Sequence, residues 1–142
     1  MVGASLADEI QTSERTPMWR TLGITVVDAE DGRARVRMPI TAALGTYGRP
    51  DVIHGGAIAS LIDAAGGIAT RSTRPDDEAP WRGIATTDLS VSYLDAAMTD
   101  LVAEGRVLRV GRAIAFVNVE VRGASEKLVA VGRVTNNIRR AD

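Results

Sequence analysis

The residues best suited to chemistry lie close together in the middle of the chain. His54 is followed directly by Gly55 and Gly56, and Asp63 comes nine residues after the histidine. The apolar spacing that follows the glycines predicts a helix over residues 55–70. A helix N-terminus presents unpaired backbone N–H groups and the positive end of the helix dipole, and glycine there lets a ligand come close. This end of the helix could therefore stabilise an oxyanion.

Each candidate also has an ordinary structural interpretation. A single histidine beside glycines is more often a loop or capping residue, and a single aspartate within a helix is more often a solvated surface residue. Thr86 falls in a predicted strand, where threonine is common for conformational reasons alone. The residue types by themselves leave a catalytic role open.

The composition excludes several classes of chemistry. The chain has no cysteine, which excludes disulfides, thiol nucleophiles and iron–sulfur clusters. His54 is the only histidine, so a metal site built on two or three histidines is excluded as well. Lys127 is the only lysine, which leaves almost no candidate for Schiff-base chemistry. We expect neither a bound metal nor a cofactor.

The charge and hydropathy of the chain limit its partners. Its 17 Lys and Arg residues against 18 Asp and Glu residues give a net charge of -1, which argues against a dedicated nucleic-acid binder. The N-terminal sequence does not have the pattern of a secretory signal. No stretch reaches the ~18 uncharged apolar residues of a membrane span. We expect a cytoplasmic protein that binds neither nucleic acid nor membrane.

The length and the periodicity predict one α+β domain over residues 1–142. Residues 1–17 form an N-terminal extension with a possible short helix over 4–12, and a turn follows at Met18 and Trp19. A loop is predicted over 40–53. The remaining elements form a single antiparallel sheet that packs on the helix. The predicted strands cover residues 22–29, 33–38, 83–94, 100–110, 113–122 and 127–136.

The side-chain pattern assigns faces to the predicted elements. The small and polar helix residues fall on one side, opposite the apolar stripe; they are Gly56, Ser60, Asp63, Gly67 and Thr70. In the strand from residue 83, Thr86 alternates away from Leu89, so the two are expected on opposite faces. The adjacent Gly66 and Gly67 leave two alternatives: the helix ends there, or another element approaches its backbone closely.

Gly55 and Asp63 are too far apart on one helix to act on one carbon atom. Eight residues separate them, which at ~1.5 Å per residue is roughly 12 Å. Two copies of the helix lying side by side and antiparallel would bring Asp63 of one chain to Gly55 of the other. The spacing therefore predicts at least a homodimer with a shared site.

Four segments resemble the hotdog-fold acyl-CoA thioesterases of the phenylacetate-degradation type, within the 4-hydroxybenzoyl-CoA thioesterase superfamily. They are VIHGGAIASLIDAAGG, TTDLSVSYLDAA, VLRVGRAIAFVNVEV and KLVAVGRVT, and the resemblance covers roughly residues 18–138. It implies a six-stranded antiparallel sheet wrapped around a central helix. It also implies dimers joined edge to edge and often tetramers.

The resemblance implies roles for the candidate residues. The backbone N–H of Gly55 would hold the thioester carbonyl while His54 orients the thioester. Asp63 would act as general base or nucleophile, and Thr86 would help to position the attacking water. Hydrolysis of an acyl-CoA to free acid and coenzyme A is the implied reaction.

Two further residues are expected to bind substrate. Gly56 opens the helix beside the thioester. Arg112 follows Gly111 at a turn between strands, where it could meet the phosphates of coenzyme A, although a solvated turn arginine is equally compatible with the sequence.

The chain departs from the family pattern at three places. Gly48 replaces an asparagine that many relatives have six residues before the histidine, and Asp51 stands where glycine is common. In Tyr93 to Ala97 the usual Arg and Pro are missing. Since one lost oxyanion donor can cost about 100-fold in rate, the missing asparagine predicts a slower reaction or a different acyl group. A hotdog enoyl-CoA hydratase and a noncatalytic acyl-CoA binding protein remain the alternatives.

Overall fold

A six-stranded antiparallel sheet packs around one long helix in the computed structural model, which describes residues 15–141. The elements are α1 (Pro17–Leu22), β1 (Thr25–Glu30), β2 (Arg33–Met38), β3 (Gly45–Thr46), β4 (Arg49–Ile53), α2 (Gly55–Arg71), β5 (Gly83–Tyr93), β6 (Leu101–Val110), β7 (Ile114–Arg122) and β8 (Leu128–Arg139). The strand order in the sheet is β1-β2-β6-β7-β8-β5, and β3 and β4 form a separate small hairpin. The predicted α+β architecture is thereby confirmed.

The helix α2 lies at the centre because most of its surface is apolar. Ile58, Leu61 and Ile62 are at most 3% exposed, as the predicted stripe requires. Asp63 remains partly accessible on the other side. The prediction that Thr70 shares this accessible side was wrong, because Thr70 is fully buried and its hydroxyl donates a hydrogen bond to Asn136 of β8.

The sheet follows the predicted alternation most closely in β2. Ala34, Val36 and Met38 are fully buried, and the three arginines that alternate with them, Arg33, Arg35 and Arg37, are exposed. Val36 pairs with Ala103 of β6, which is also fully buried. One face of the sheet therefore forms the core with α2, and the other face is wet.

Close approach between α2 and the sheet decides between the two alternatives for Gly66. The helix continues through Gly66 to Arg71. A Cβ on Gly66 would lie 2.7 Å from the Cβ of Val134 in β8, and a Cβ on Gly132 would lie 2.8 Å from Ile62. These glycines let helix and strand pack closer than any side chain would permit.

A bulge in β5 reverses the predicted face of Thr86. Thr86 pairs with Asn136 and Asp88 pairs with Thr135, so the register shifts at the residue between them. Thr86 consequently faces the helix on the same side as Leu89, and the expectation of opposite faces was wrong. A one-residue insertion of this kind redirects a side chain without ending the strand.

Two segments before α2 contain more structure than predicted. Pro17–Leu22 is a helix with proline at its start and Gly23 at its end, so the predicted turn at Met18 and Trp19 was wrong and the strand begins at Thr25 rather than at residue 22. The predicted loop over 40–53 contains a 3-10 turn and the β3–β4 hairpin. The helix considered for residues 4–12 lies outside the described residues, and a single domain over 1–142 stays a prediction. None of the described helices is long and apolar enough to cross a membrane.

Replacing Gly66 by alanine tests the close approach. Gly66→Ala should lower the free energy of unfolding by about 1–3 kcal/mol, because the new methyl group overpacks against Val134. Gly67→Ala is the matched control, since its Cβ would lie 3.6 Å from the nearest atom outside the helix, at Ile84. That variant should be neutral or gain up to about 1 kcal/mol of helix propensity. Urea unfolding measures both, and equal effects would contradict the packing argument.

Candidate active site

His54 caps the N-terminus of α2 with its own side chain. Its Nδ1 accepts a hydrogen bond from the Gly56 N–H at 2.8 Å. A neutral ring that accepts at Nδ1 carries its proton on Nε2, so Nε2–H is the donor that remains for other partners. The residue thus has both the capping role and a donor that a substrate could use.

Gly55 lies against the ring of Tyr93 from β5. The Tyr93 hydroxyl donates to the Gly55 carbonyl at 2.6 Å, and a Cβ on Gly55 would lie 3.1 Å from the ring. Within residues 15–141, no group accepts a hydrogen bond from the Gly55 N–H. The predicted oxyanion donor is therefore available, and Tyr93 fixes the peptide that follows it. The sequence gives no signal for this contact, because Tyr93 lies 38 residues after Gly55 and no local pattern joins the two.

Asp63 and Thr86, both candidates from the sequence, are in direct contact within one chain. The Thr86 hydroxyl donates to Asp63 Oδ1 at 2.6 Å, and Asn136 Nδ2 donates to Thr86 Oγ1 at 3.1 Å. Asp63 Oδ2 has no hydrogen-bond partner among the described residues. One carboxylate oxygen is thus held by the protein, and the other can meet a reacting atom.

One chain does not bring all the candidates together. His54, Gly55 and Gly56 form the start of α2, whereas Asp63 and Thr86 meet about two turns further along. The two groups share the accessible side of the helix. Their separation is the one expected from the sequence.

A cavity of about 260 Å³ opens beside the start of α2. His54, Gly56 and Ser60 contribute its polar wall. Most of its remaining lining is apolar and comes from α1 and from the turn before β3; it consists of Met18, Leu22, Ala43, Leu44, Gly45 and Ala57. The unforeseen helix α1 therefore forms one wall of this cavity.

Two acidic residues that depart from the family pattern are paired with cations. Arg49 donates two hydrogen bonds to Asp51, and this bidentate pair lowers the pKa of Asp51. The Lys127 ammonium lies 2.9 Å from Asp95 and lowers the pKa of the Asp95 carboxyl, together with the Ala96 N–H. Both carboxylates therefore remain ionised with their charge balanced beside them.

Gly48, which replaces the family asparagine, occupies the turn between β3 and β4. Its φ is +72°, and a Cβ there would meet no atom within 4 Å. Asparagine adopts the left-handed region more readily than most residues. The turn is therefore compatible with either residue, and what this chain lacks is only the amide side chain.

Arg112 lies at the other end of the molecule from His54. It occupies the turn between β6 and β7, and its carbonyl accepts a hydrogen bond from Arg140. Ala115, three residues after Arg112, pairs with Asn136, which contacts Thr70 near the end of α2. Arg112 therefore does not join the helix start within one chain, and its phosphate role stays a prediction. No cluster of three His, Asp or Glu side chains suited to a metal occurs in the part of the chain that the structure describes.

Comparisons with known proteins place the chain in one family. Residues 51–130 match the family model described as the thioesterase superfamily. A Halobacterium salinarum protein, whose esterase name is provisional, is 41% identical over 128 residues, covering 85% of this chain and 83% of that protein. The 1,4-dihydroxy-2-naphthoyl-CoA hydrolase of Listeria monocytogenes is 24% identical over 123 residues, covering 84% of this chain and 94% of that one.

The fold is shared with the PaaI protein of the E. coli phenylacetic acid degradation operon. The two structures superpose with a TM-score of 0.78 and 23% identity, over 97% of each chain. The match over more than half of the chain and the 41% identical relative establish the family. This chain belongs to the thioesterase superfamily and is an enzyme with a hotdog fold. The family resemblance drawn from its motifs is confirmed.

The capping role of His54 can be separated from any role in chemistry. His54→Ala should lower the free energy of unfolding by about 1 kcal/mol, because the Gly56 N–H loses its acceptor. His54→Asn should keep most of that stability, since asparagine is a strong N-cap residue. Denaturant unfolding of both variants tests this. Equal losses would mean that the cap contributes nothing.

Proposed function

We propose that this enzyme hydrolyses acyl-CoA thioesters to a free acid and coenzyme A, without a metal or cofactor. The observation that carries the proposal is the Asp63 carboxylate, held at one oxygen by Thr86 on the side of α2 where the Gly55 N–H is also available. The name of the Listeria relative, a CoA thioester hydrolase, supports the substrate class.

The groups present are sufficient for thioester hydrolysis. Asp63 would take a proton from water as the water oxygen bonds to the thioester carbon. The Gly55 N–H would stabilise the oxyanion that forms, and the Nε2–H of His54 would orient the thioester. Collapse of the tetrahedral intermediate breaks the C–S bond, and the departing thiolate takes the proton from Asp63. Direct attack by Asp63 on the carbonyl remains the other form of the mechanism.

The separation of Gly55 from Asp63 supports a homodimer with two shared sites, and the family resemblance extends this to a homotetramer. β5 is the last strand of the sheet, and Leu89 and Tyr93 on it are 39% and 52% exposed. An exposed edge strand pairs readily with a second copy. In an antiparallel helix pair, each site would combine the Gly55 N–H of one subunit with the other subunit's carboxylate.

The same arrangement gives Arg112 a route to the substrate. Because Arg112 lies at the far end of its own α2, an antiparallel neighbour would bring it toward the other subunit's helix start. There it could meet the phosphates of coenzyme A, for which a guanidinium is well suited. The cavity beside His54, with its mostly apolar lining, would take an apolar acyl group.

A panel of acyl-CoA thioesters assayed for released thiol tests the proposed function. Turnover of at least one aliphatic or aromatic thioester is expected. Tight binding of acyl-CoA without thiol release would instead support a noncatalytic binding protein, the candidate that the missing asparagine at Gly48 favours. Hydration of an enoyl-CoA without thiol release would support the hydratase alternative.

Replacing Asp63 by asparagine tests the mechanism. Asp63→Asn keeps the shape and removes the base, so kcat should fall about 100-fold or more with KM little changed. Asp88→Asn is a control, because Asp88 is exposed on the same strand as Thr86, beyond the bulge. Steady-state kinetics distinguish the two. Near-normal kcat in Asp63→Asn would make Asp63 a structural residue.

Mixing two inactive variants tests the shared site. Gly55→Pro removes the N–H at the first helical position, where proline is tolerated. Gly55→Ala is its control, since it adds a Cβ beside Tyr93 but keeps the N–H. After subunit exchange at equal concentrations, Gly55→Pro and Asp63→Asn should together recover about a quarter of wild-type activity, because half of the dimers carry one intact site. No recovery after demonstrated exchange would contradict a shared site.

A further inference from the structure

A line of three hydrogen bonds runs from the protein interior to the Asp63 carboxylate. The Thr70 hydroxyl donates to Asn136 Oδ1 at 2.7 Å, the Asn136 amide donates to Thr86 Oγ1 at 3.1 Å, and the Thr86 hydroxyl donates to Asp63 Oδ1 at 2.6 Å. Thr70 and Asn136 are 0% and 1% exposed, so neither can touch a substrate. The line links the buried side of α2, through β8 and β5, to its accessible side.

The ionised carboxylate fixes the direction of every bond in this line. A carboxylate only accepts, so Thr86 must give its single hydroxyl proton to Asp63. Thr86 Oγ1 can then only accept from Asn136, which turns the Asn136 NH₂ group toward Thr86 and its oxygen toward Thr70. Thr70 must donate in turn. All three donors therefore point toward Asp63, and such aligned bonds strengthen one another.

The position of Asn136 is unusual for a polar residue. Its neighbours on the same face of β8, Val134 and Ile138, are apolar and buried. A buried amide is costly unless its groups are hydrogen-bonded. An apolar residue would fill this place at lower cost, so the amide is explained better by the bonds that it makes than by packing.

Few other groups can support the charge of Asp63. The titratable group that faces α2 from the strands is Tyr93, which bonds to Gly55 rather than to Asp63. On α2 itself, His54 and Arg71 lie at the two ends of the helix. Among the described residues, Asp63 makes no ion pair. The hydrogen-bonded line is thus its support within the described chain.

We propose that Asn136 and Thr70 are positioning residues of the active site, an inference that rests on the proposed thioesterase function. They act through Thr86: the Asn136 amide donates to one lone pair of Thr86 Oγ1, so that the Thr86 hydroxyl proton is directed at Asp63 Oδ1. This holds the carboxylate in one orientation with Oδ2 toward the reacting water or carbonyl. Without Asn136, the Thr86 hydroxyl can rotate and the carboxylate loses its fixed orientation.

Kinetics of substitutions along the line test this inference. Asn136→Leu, which keeps the approximate size and removes the amide, should lower kcat about fivefold or more with KM little changed. Thr70→Val removes the hydroxyl at nearly constant shape and should lower kcat by a smaller factor. Thr70→Ser is the matched control, because it keeps the hydroxyl and should retain wild-type kcat. Thermal unfolding of each variant sets an assay temperature at which all are folded.

A double-mutant cycle separates positioning from a general packing effect. Thr86→Val alone should lower kcat about tenfold. Adding Asn136→Leu to Thr86→Val should cause no further loss, because the amide acts only through the Thr86 hydroxyl. A fully additive loss would overturn the proposal, and so would wild-type kcat in both Asn136→Leu and Thr70→Val.

If Asn136→Leu does not fold, the contrast between the kcat values of Thr70→Val and Thr70→Ser decides. A wild-type enzyme that releases thiol from no thioester would overturn the proposed function and this inference with it.

Discussion

The closeness of α2 to the sheet is the constraint on which the rest of the molecule depends. Gly66 and Gly132 lie where a Cβ would come within 3 Å of the opposing element, and a Cβ on Gly105 would lie 2.7 Å from the Ala65 carbonyl. Only at this distance can short side chains on helix and strand reach one another. The 2.6 Å bond between Asp63 and Thr86 is such a contact. The glycines therefore serve the site as much as the core.

The sequence predicts those elements in which the alternation of apolar and polar residues runs without interruption. α2 and β2 follow their patterns because burial on one side acts on every residue in turn. The face of Thr86 was predicted wrongly because a bulge shifts the register of β5 by one residue, and no local sequence signal marks a bulge. The helix α1 was not predicted either, because six residues that begin with proline are too few to show a helical spacing of apolar residues. The residues of the candidate site thus stay a prediction from the sequence, and the contacts that orient Asp63 and Thr86 come from the structure alone.

The electrostatics around the helix start follow from local pairing. Asp51 and Asp95, which make this chain more acidic there than its family pattern, are each held by a cation from a nearby position, Arg49 and Lys127. These pairs are exposed and contribute little to stability. Their effect is that the Asp51 and Asp95 carboxylates are each bound by a neighbouring cation. Asp63, by contrast, makes no ion pair among the described residues and accepts its hydrogen bond from the Thr86 hydroxyl.

Part of the apolar lining of the cavity comes from a helix that carries none of the candidate catalytic residues. Met18 and Leu22 belong to α1, whereas Asp63 and Thr86 belong to α2 and β5. Because α1 is not part of the sheet or of the hydrogen bonds around Asp63, its exposed residue Met18 can change size without disturbing either. Such a division lets natural variation alter what fits the cavity while the chemistry stays intact. Related chains could thereby diverge in selectivity one residue at a time, with each intermediate still active.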